Sequence, residues 1–493
     1  MINFKVINIL SIISIFFGLS MTPSLLWCLY YSEQDYFSFL QSIIFTVVIG
    51  VIFYLLSYPK SKKQNNDLRS KDGFVIVTVG WIIMAFFSSF PYYLSPSIDM
   101  SFVDSFFESM SGLTTTGASI LGHTTQIEDL SKGLLFWRSF THFIGGMGII
   151  VFSIAILPLL GIGGVQLFKA EVAGPTADKM TPRVKQTAKL LWGIYVGFVL
   201  MLTLLIYLLG GEGITFFDSL CHSFATMATG GFSTHSQSIA FFNNPLLEWL
   251  LIVFMLVAAT NFTLHFSFLS KGKFTYFKNE EFRVYFFTFL FISILICLNV
   301  NYYGLYNWSL ESLRHSMFST ISILSTTGFG TENFELWPNL SQSTIFILLF
   351  IGGSAGSTTG GLKILRTVLI FKYLLYEMKK MIHPNGIYNI KIGNRIVEED
   401  VVKNTLGFYL FYIFIFVLGA FIFSSFNIDL MTSLSASASA IGNIGPGLGD
   451  IGPTENWGFL PSELKILSSF LMLLGRLEIF TVMVLFSRIF WKY

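Results

Sequence analysis

The segment Leu324-Ser-Thr-Thr-Gly-Phe-Gly330 places a threonine pair and two glycines in the middle of an apolar chain. The same kind of turn occurs three more times, as Thr114-Thr-Thr-Gly117, Met227-Ala-Thr-Gly-Gly-Phe232 and Ile441-Gly-Asn-Ile-Gly-Pro-Gly447. Each turn follows a short amphipathic stretch that is long enough for a half-helix and too short to cross a membrane. Four such turns at recurring positions indicate an internal repeat of helix, re-entrant loop and helix.

The composition around these turns is that of a membrane protein. Of 493 residues, 53% are hydrophobic and only 12% are charged, whereas soluble domains average about 25% charged residues. The apolar residues form runs of the length that a membrane-spanning helix needs, which is about 20 residues. The runs cover residues 7–29, 43–56, 74–94, 134–160, 190–209, 246–269, 284–298, 343–351, 406–423 and 464–490.

The basic residues predict the orientation of the chain. Lys and Arg cluster in alternate connections, at 60–71, 169–189, 271–283, 366–403 and 488–492, whereas the connections between these clusters are acidic or neutral. Basic connections face the cytoplasm in most membrane proteins. We therefore expect about ten spanning helices with both termini in the cytoplasm and all four glycine turns on the outer side.

Glycine turns of this kind suit a cation pore for physical reasons. Non-helical backbone inside a membrane is tolerated where it lines water or is buried in protein, and glycine permits the unusual dihedral angles that such a loop needs. Rings of backbone carbonyls can replace the hydration shell of an ion, and the C-terminal end of a preceding half-helix is negative. Ordinary surface turns would not explain the apolar stretches before the glycines.

At these turns the sequence resembles the Trk/Ktr/HKT superfamily of potassium transporters, in particular its TrkH-type bacterial branch. The resemblance implies an all-α polytopic fold in which four repeats surround one pore in pseudo-fourfold arrangement, after two extra helices. It divides the chain into residues 1–72, which hold the extra helices, and repeats at 73–170, 171–280, 281–395 and 396–493. Glycine in all four turns favours potassium over sodium.

The resemblance also assigns the ion-binding residues. Backbone carbonyls of three residues in each turn would bind potassium. These residues are Thr115, Thr116 and Gly117; Thr229, Gly230 and Gly231; Thr326, Thr327 and Gly328; and Asn443, Ile444 and Gly445. In the fourth turn, Gly442 offers a competing register.

Two further features are predicted to lie beneath the turns. Five glycines interrupt one predicted span within residues 352–361, and each glycine costs a helix about 1 kcal/mol relative to alanine. Arg476 lies near the middle of the last span, where an arginine costs ~2.5–3.5 kcal/mol on insertion scales. The resemblance implies a gate made of Gly352, Gly353, Gly356, Thr358, Thr359, Gly360, Gly361 and Arg476. We expect Arg476 to pair with Glu478 or with carbonyls of the glycine segment. The alternatives to a gate are a cytoplasmic linker for the glycine segment and a buried structural ion pair for Arg476.

The remaining predictions concern partners and chemistry. No catalytic cluster, metal-ligand spacing or nucleotide-binding turn is evident, so we expect neither an enzyme nor a bound cofactor, and no nucleic-acid partner. We expect five polar residues in apolar context to serve packing or hydrogen bonding rather than ligand binding. They are Arg138, His142, His222, His265 and His315. The resemblance implies a homodimer in the bacterial inner membrane, regulated by a cytosolic nucleotide-binding subunit of the TrkA type. A sodium- or proton-coupled secondary transporter remains the alternative function.

Overall fold

A computed structural model describes residues 3–63, 69–123, 125–151, 181–211, 213–306, 308–386, 388–393 and 395–492. Within these ranges the chain is mostly helical, and two short strands, Lys391–Ile392 and Arg395–Ile396, pair in antiparallel orientation. The predicted boundary between the first two repeats, at 170/171, lies outside the described residues, as does the end of the apolar run 134–160.

Two extra spans precede the first of the four repeats. The first runs through Phe4–Ser20 and Thr22–Tyr31, and the second is Tyr36–Lys63. Glu33, in the connection between them, accepts hydrogen bonds from the backbone N–H groups of Lys132 and Gly133 at 2.6 and 3.1 Å. A helix N-terminus leaves N–H groups unpaired and favours a negative charge. This connection therefore joins the extra helices to the helix that follows the first glycine turn.

The rest of the described chain forms four units, each with an outer helix, a pore helix and an inner helix. The outer helices are Ser70–Ser88 with the short Phe90–Tyr93, Thr181–Leu209, Glu280–Tyr302 and Glu399–Ser425. Pore helices 1 to 4 are Phe102–Leu113, Phe216–Met227, Leu310–Leu324 and Leu430–Gly442. Inner helix 1 is Lys132–Val151, and inner helices 2 to 4 each have two parts: Pro245–Ala258 and Phe262–Lys271; Asn339–Leu348 and Ile364–Ile382; Ser462–Arg476 and Phe480–Met483.

Short helices complete the connections. They are the 3-10 turns Ile127–Asp129, Ser238–Phe242, Tyr276–Lys278, Phe334–Leu336, Trp457–Phe459 and Val484–Phe486, and the final helix Arg488–Lys492.

The pore helices are short because strong signals start and stop them. The side chains of Ser101, Thr215, Ser309 and Asp429 each cap the first turn of one pore helix by accepting a backbone N–H. Such caps typically stabilise a helix by about 1 kcal/mol. The four helices contain 12, 12, 15 and 13 residues, so none can cross a membrane, which takes about 20 residues. The predicted half-helices are therefore present in all four units.

The long helices match most of the predicted spans. Six helices of the described chain are long and apolar enough to cross a membrane, and two bent pairs raise the number to eight. The prediction of about ten is reached only by adding Lys132–Val151 and the pair Asn339–Leu348 and Ile364–Ile382, which do not pass the same test of length and composition. Large apolar side chains such as Phe16, Phe291 and Phe421 are about 70% exposed on the helix surfaces, which is a surface for lipid rather than water.

Candidate functional site

The four glycine turns have the same backbone conformation. We call residues 115–117, 229–231, 326–328 and 443–445 tripeptides 1 to 4. The first residue of each is left-handed, with φ of 50° to 55° at Thr115, Thr229, Thr326 and Asn443. The third residue is glycine with φ of 76° to 100°, and the middle residue has no positive φ. Only glycine adopts such φ values freely, which explains the glycine at the third position of all four tripeptides.

The pore helices end in the same way before each tripeptide. The backbone N–H of the middle residue bonds to the carbonyl five residues earlier: Thr116 to Ser111, Gly230 to Ala225, Thr327 to Ser322 and Ile444 to Ser439, at 2.8 to 3.1 Å. A left-handed residue with this 6→1 bond is a Schellman motif. Each pore helix thus directs its negative C-terminal end at its own tripeptide.

The tripeptides form a closed ring. A β-carbon added to Gly117 would overlap the carbonyl oxygen of Gly230, and one added to Gly231 would overlap that of Thr327. A β-carbon on Gly328 would overlap the carbonyl oxygen of Ile444, and one on Gly445 would lie 2.6 Å from that of Thr116. Each third-position glycine therefore lies against the middle carbonyl of the next tripeptide, in the order 1, 2, 3, 4 and back to 1.

In the fourth turn, Gly445 rather than Gly442 takes the third position of the tripeptide. Gly445 lies against Thr116, as its three counterparts lie against their neighbours, whereas Gly442 is the last residue of pore helix 4. The geometry thus groups Asn443, Ile444 and Gly445 with the other tripeptides.

A cavity of about 550 Å³ opens on the glycine side of the ring. The third-position glycines of all four tripeptides line it, together with the loops that follow them. Glu332 and Glu455 contribute carboxylates to its wall. Burial raises the pKa of the Glu332 carboxyl above its usual value, and nearby Glu311 raises it further. At neutral pH, carboxylates in such a vestibule would concentrate cations.

The glycine segment 352–361 lies on the opposite side of the ring, between the two parts of inner helix 3. Gly360 donates its backbone N–H to Thr326 Oγ1 at 2.9 Å, and a β-carbon added to it would lie 2.5 Å from the carbonyl oxygen of Gly442 and 2.7 Å from Cβ of Asn443. Thr358 is fully buried and donates its hydroxyl to the carbonyl of Met227 at 3.0 Å. The segment therefore contacts the inner ends of units 2, 3 and 4, and most of it is buried. An exposed cytoplasmic linker would have neither property.

The other predicted gate residues belong to the same loop. Gly352 donates its N–H to Leu362, Gly353 accepts from Ile364, and Gly356, with φ of 71°, accepts from Phe262 at 3.1 Å. Thr359 shares a hydrogen bond with Ser357 at 2.8 Å, and Gly361 is left-handed with φ of 64°.

Arg476 contacts this loop from inner helix 4. Its side chain is 2% exposed and donates to the carbonyls of Thr358 at 2.7 Å and Gly145 at 3.0 Å. Glu478 pairs with Arg366 instead, at 2.6 Å. Of the predicted partners for Arg476, the structure therefore has the loop carbonyls and not Glu478.

Several residues of this region were not predicted from the sequence. Inner helices 2 and 4 are also broken, with bends of 98° and 110° between their parts. Lys363 donates to the backbone of Thr359 and Gly360, and Glu281 accepts the N–H of Ala355 at 2.6 Å. Asn261, inside an apolar run, and Gly475 beside Arg476 were the available signals for the two additional breaks.

Known proteins resemble the chain over nearly its whole length. A family model described as TrkH, cation transport protein, matches residues 39–493. The Trk system potassium uptake protein TrkH of Escherichia coli K12 is 36% identical over 98% of this chain and 97% of its own. TrkH of Halomonas elongata is 37% identical over 99% of both chains. The crystal structure of the potassium transporter TrkH from Vibrio parahaemolyticus superposes with a TM-score of 0.90 over 100% of both chains, at 34% identity.

These similarities confirm the predicted fold class and the resemblance on which it was based. With its apolar helices and this extent of similarity, the chain is a membrane protein and belongs to the TrkH family of cation transport proteins.

Proposed function

We propose that this protein takes up potassium through the ring of four tripeptides. The observation that carries the proposal is the closed ring itself, in which four loops with the same backbone conformation bring uncharged backbone carbonyls together at the ends of four pore helices. Such carbonyls replace the water around a monovalent cation, and the helix ends add negative potential. The relatives named above as potassium uptake proteins support potassium as the ion.

The segment 352–361 and Arg476 form the gate of this pore. The segment lies against the inner end of the ring through Thr326 and Gly442, so an ion leaving the ring meets it first. The buried guanidinium of Arg476 holds the loop through Thr358 and adds a positive charge that repels cations. Opening then requires the loop to move away and the hydrogen bond between Arg476 and Thr358 to break.

The assembly proposed for the protein follows the resemblance to the Trk/Ktr/HKT superfamily described above. It would be a homodimer in the bacterial inner membrane, with both termini in the cytoplasm and without a bound cofactor or a nucleic-acid partner. A cytosolic nucleotide-binding subunit of the TrkA type would regulate it. Lys379 and Lys380, exposed at the end of Ile364–Ile382, suit a contact with that subunit or with anionic lipid.

The alternative is a secondary transporter that couples a cation or small solute to sodium or protons. The broken inner helices favour it to some degree, because ion-coupled transporters build midplane sites from discontinuous helices. The two functions differ in flux. Uptake through a pore follows the electrochemical gradient of potassium alone, whereas coupled uptake at the same membrane potential changes when the sodium or proton gradient is removed.

The test is rubidium uptake into liposomes that contain the purified protein, with Gly328→Ala and Gly330→Ala compared. Alanine at 328 must adopt a left-handed φ of 82° and would overlap Ile444; the φ alone costs ~1–2 kcal/mol. At 330 the nearest atom to a new β-carbon is 3.5 Å away. We expect uptake that potassium blocks, that Gly328→Ala reduces at least about tenfold, and that Gly330→Ala preserves. Equal effects of the two variants would contradict the proposal.

A further inference from the structure

The middle position of tripeptide 2 differs from the other three. Thr116, Thr327 and Ile444 have side chains there, whereas the second tripeptide has Gly230. The φ of Gly230 is not positive, so the backbone does not require glycine. Another part of the molecule must occupy the space of the missing side chain.

His142 of inner helix 1 occupies that space. A β-carbon on Gly230 would lie 2.5 Å from Nδ1 and 2.7 Å from Cδ2 of the His142 ring, closer than real atoms approach. The histidine is fully buried, with 0% exposure. The imidazole of His142 therefore packs directly against Gly230, whose carbonyl is one of those in the ring of tripeptides.

Hydrogen bonds fix the orientation of this imidazole. Nδ1 lies 2.8 Å from the carbonyl oxygen of Gly112 and must donate, because a carbonyl only accepts. Nε2 lies 3.3 Å from the backbone nitrogen of Phe232 and must accept its N–H. The imidazole of His142 thus joins pore helix 1 to Phe232, the residue that follows tripeptide 2.

Arg138, one helical turn before His142, contacts the same boundary between units 1 and 2. We call such a boundary between units a seam. The guanidinium of Arg138 lies 4.1 Å from the Phe232 ring, and His142 lies 4.2 Å from it, each measured to the ring centroid. Arg138 donates to Glu108 at 2.9 Å and to the carbonyl of Ser233 at 3.0 Å. Units 1 and 2 are therefore joined behind the ring by two side chains of inner helix 1.

We propose that His142 is a positioning residue for ion selectivity, which replaces the absent side chain at position 230 and holds the Gly230 carbonyl in place. The proposal rests on the proposed function of the ring. The His142 side chain fills the space left by the missing side chain of Gly230. A smaller residue at position 142 should therefore be compensated by a larger residue at position 230.

The test compares His142→Ala, Gly230→Ala, the double variant and His142→Gln in liposomes. The readout is the ratio of rubidium to sodium uptake, from which protein amount cancels. We expect each alanine variant to lower the ratio by roughly three- to tenfold. The double variant should recover part of the loss, because the new methyl group enters the vacated space. His142→Gln should also recover part of it, since an amide offers one donor and one acceptor.

His265→Ala is the matched control. His265 is 3% exposed and has both ring nitrogens bonded, to Tyr276 and Val257, away from the tripeptides. Its loss should lower thermal stability and leave the uptake ratio unchanged. Thermal unfolding in detergent gives a second readout, in which Gly230→Ala should destabilise the protein only when His142 is present.

Two results would overturn the inference while the proposed function stands. One is a selective wild type with an unchanged ratio in His142→Ala; the other is a double variant that is no better than either single one. A wild type without cation-selective uptake would instead refute the proposed function, and this inference with it.

Discussion

At the scale of single residues, Asn443 differs from the threonine that begins the other three tripeptides, and its side chain bonds neighbouring parts of the molecule. Three tripeptides begin with threonine and the fourth with Asn443. Its Nδ2 donates to Thr116 Oγ1 at 3.0 Å and to the carbonyl of Met472 at 2.8 Å. Thr116 in turn shares a hydrogen bond with Thr114 at 2.8 Å. Asn443 therefore connects tripeptides 4 and 1 to the helix that contains Arg476.

Replacing Asn443 by threonine tests this role. Threonine adopts the same φ at the three other first positions, so the backbone should be retained while both hydrogen bonds are lost. Two such bonds are worth about 1–3 kcal/mol together, and we expect the ratio of rubidium to sodium uptake to fall roughly tenfold. Asn443→Asp should be at least as severe, because a carboxylate would face the Met472 carbonyl.

Asn8→Thr is the control for this experiment, because its amide donates to Ser57 between the two extra helices, away from the tripeptides. If Asn443→Thr kept the wild-type ratio, the asparagine would serve only the left-handed backbone, which asparagine favours.

At the scale of elements, the interrupted inner helices decide what lies beneath the ring. The loop 352–361 is held by contacts from three units, and Thr358 lies at their centre. Its hydroxyl lies 3.0 Å from the carbonyl oxygen of Met227 and 3.2 Å from that of Ala258 and can donate its one proton to either, and its own carbonyl accepts from Arg476. Hydrogen bonds between Thr358 and units 2 and 4 thus help to hold the loop, and the opening proposed above would break them.

Thr358→Val should favour the open state of the gate. Valine keeps the shape of threonine and removes the hydroxyl, whose one donated hydrogen bond is worth about 0.5–1.5 kcal/mol to the closed loop. We expect faster rubidium uptake by the isolated protein, by roughly two- to tenfold. Thr344→Val is the matched control, because the Thr344 hydroxyl bonds only Leu340 in the same helix. Slower or unchanged uptake in Thr358→Val would exclude this loop as a closed gate.

At the scale of the whole molecule, the ring is fourfold in its backbone and different at every seam between units. His142 and Arg138 join units 1 and 2, and Gly330 exchanges hydrogen bonds with Ser238 and Ala240 between units 2 and 3. Glu335 accepts the N–H of Gly449 between units 3 and 4, and Lys465 pairs with Asp104 at 2.7 Å between units 4 and 1. Local backbone geometry repeats, whereas each seam is stabilised by its own chemistry.

This difference explains what the sequence could predict. The glycines of the tripeptides were identifiable because a positive φ requires a particular residue type. The pore helices were identifiable because the short amphipathic stretch before each turn is a local signal. The glycine-rich segment 352–361 was identifiable for the same reason.

The seams were not predictable, because they join residues far apart in sequence. Nothing near Gly230 indicates that His142, 88 positions earlier in the chain, fills its side-chain space. The breaks at 259–261 and 477–479 were also missed, because one asparagine or one glycine is too weak a signal against a strongly apolar background.

The most direct test of the central claim is anomalous diffraction from crystals of the protein grown with thallium in place of potassium. The proposed function predicts a thallium peak on the axis of the ring, between residues 115–117, 229–231, 326–328 and 443–445, that weakens in crystals of Gly328→Ala. A ring without thallium in wild-type crystals, with ordered thallium elsewhere in the protein, would contradict it.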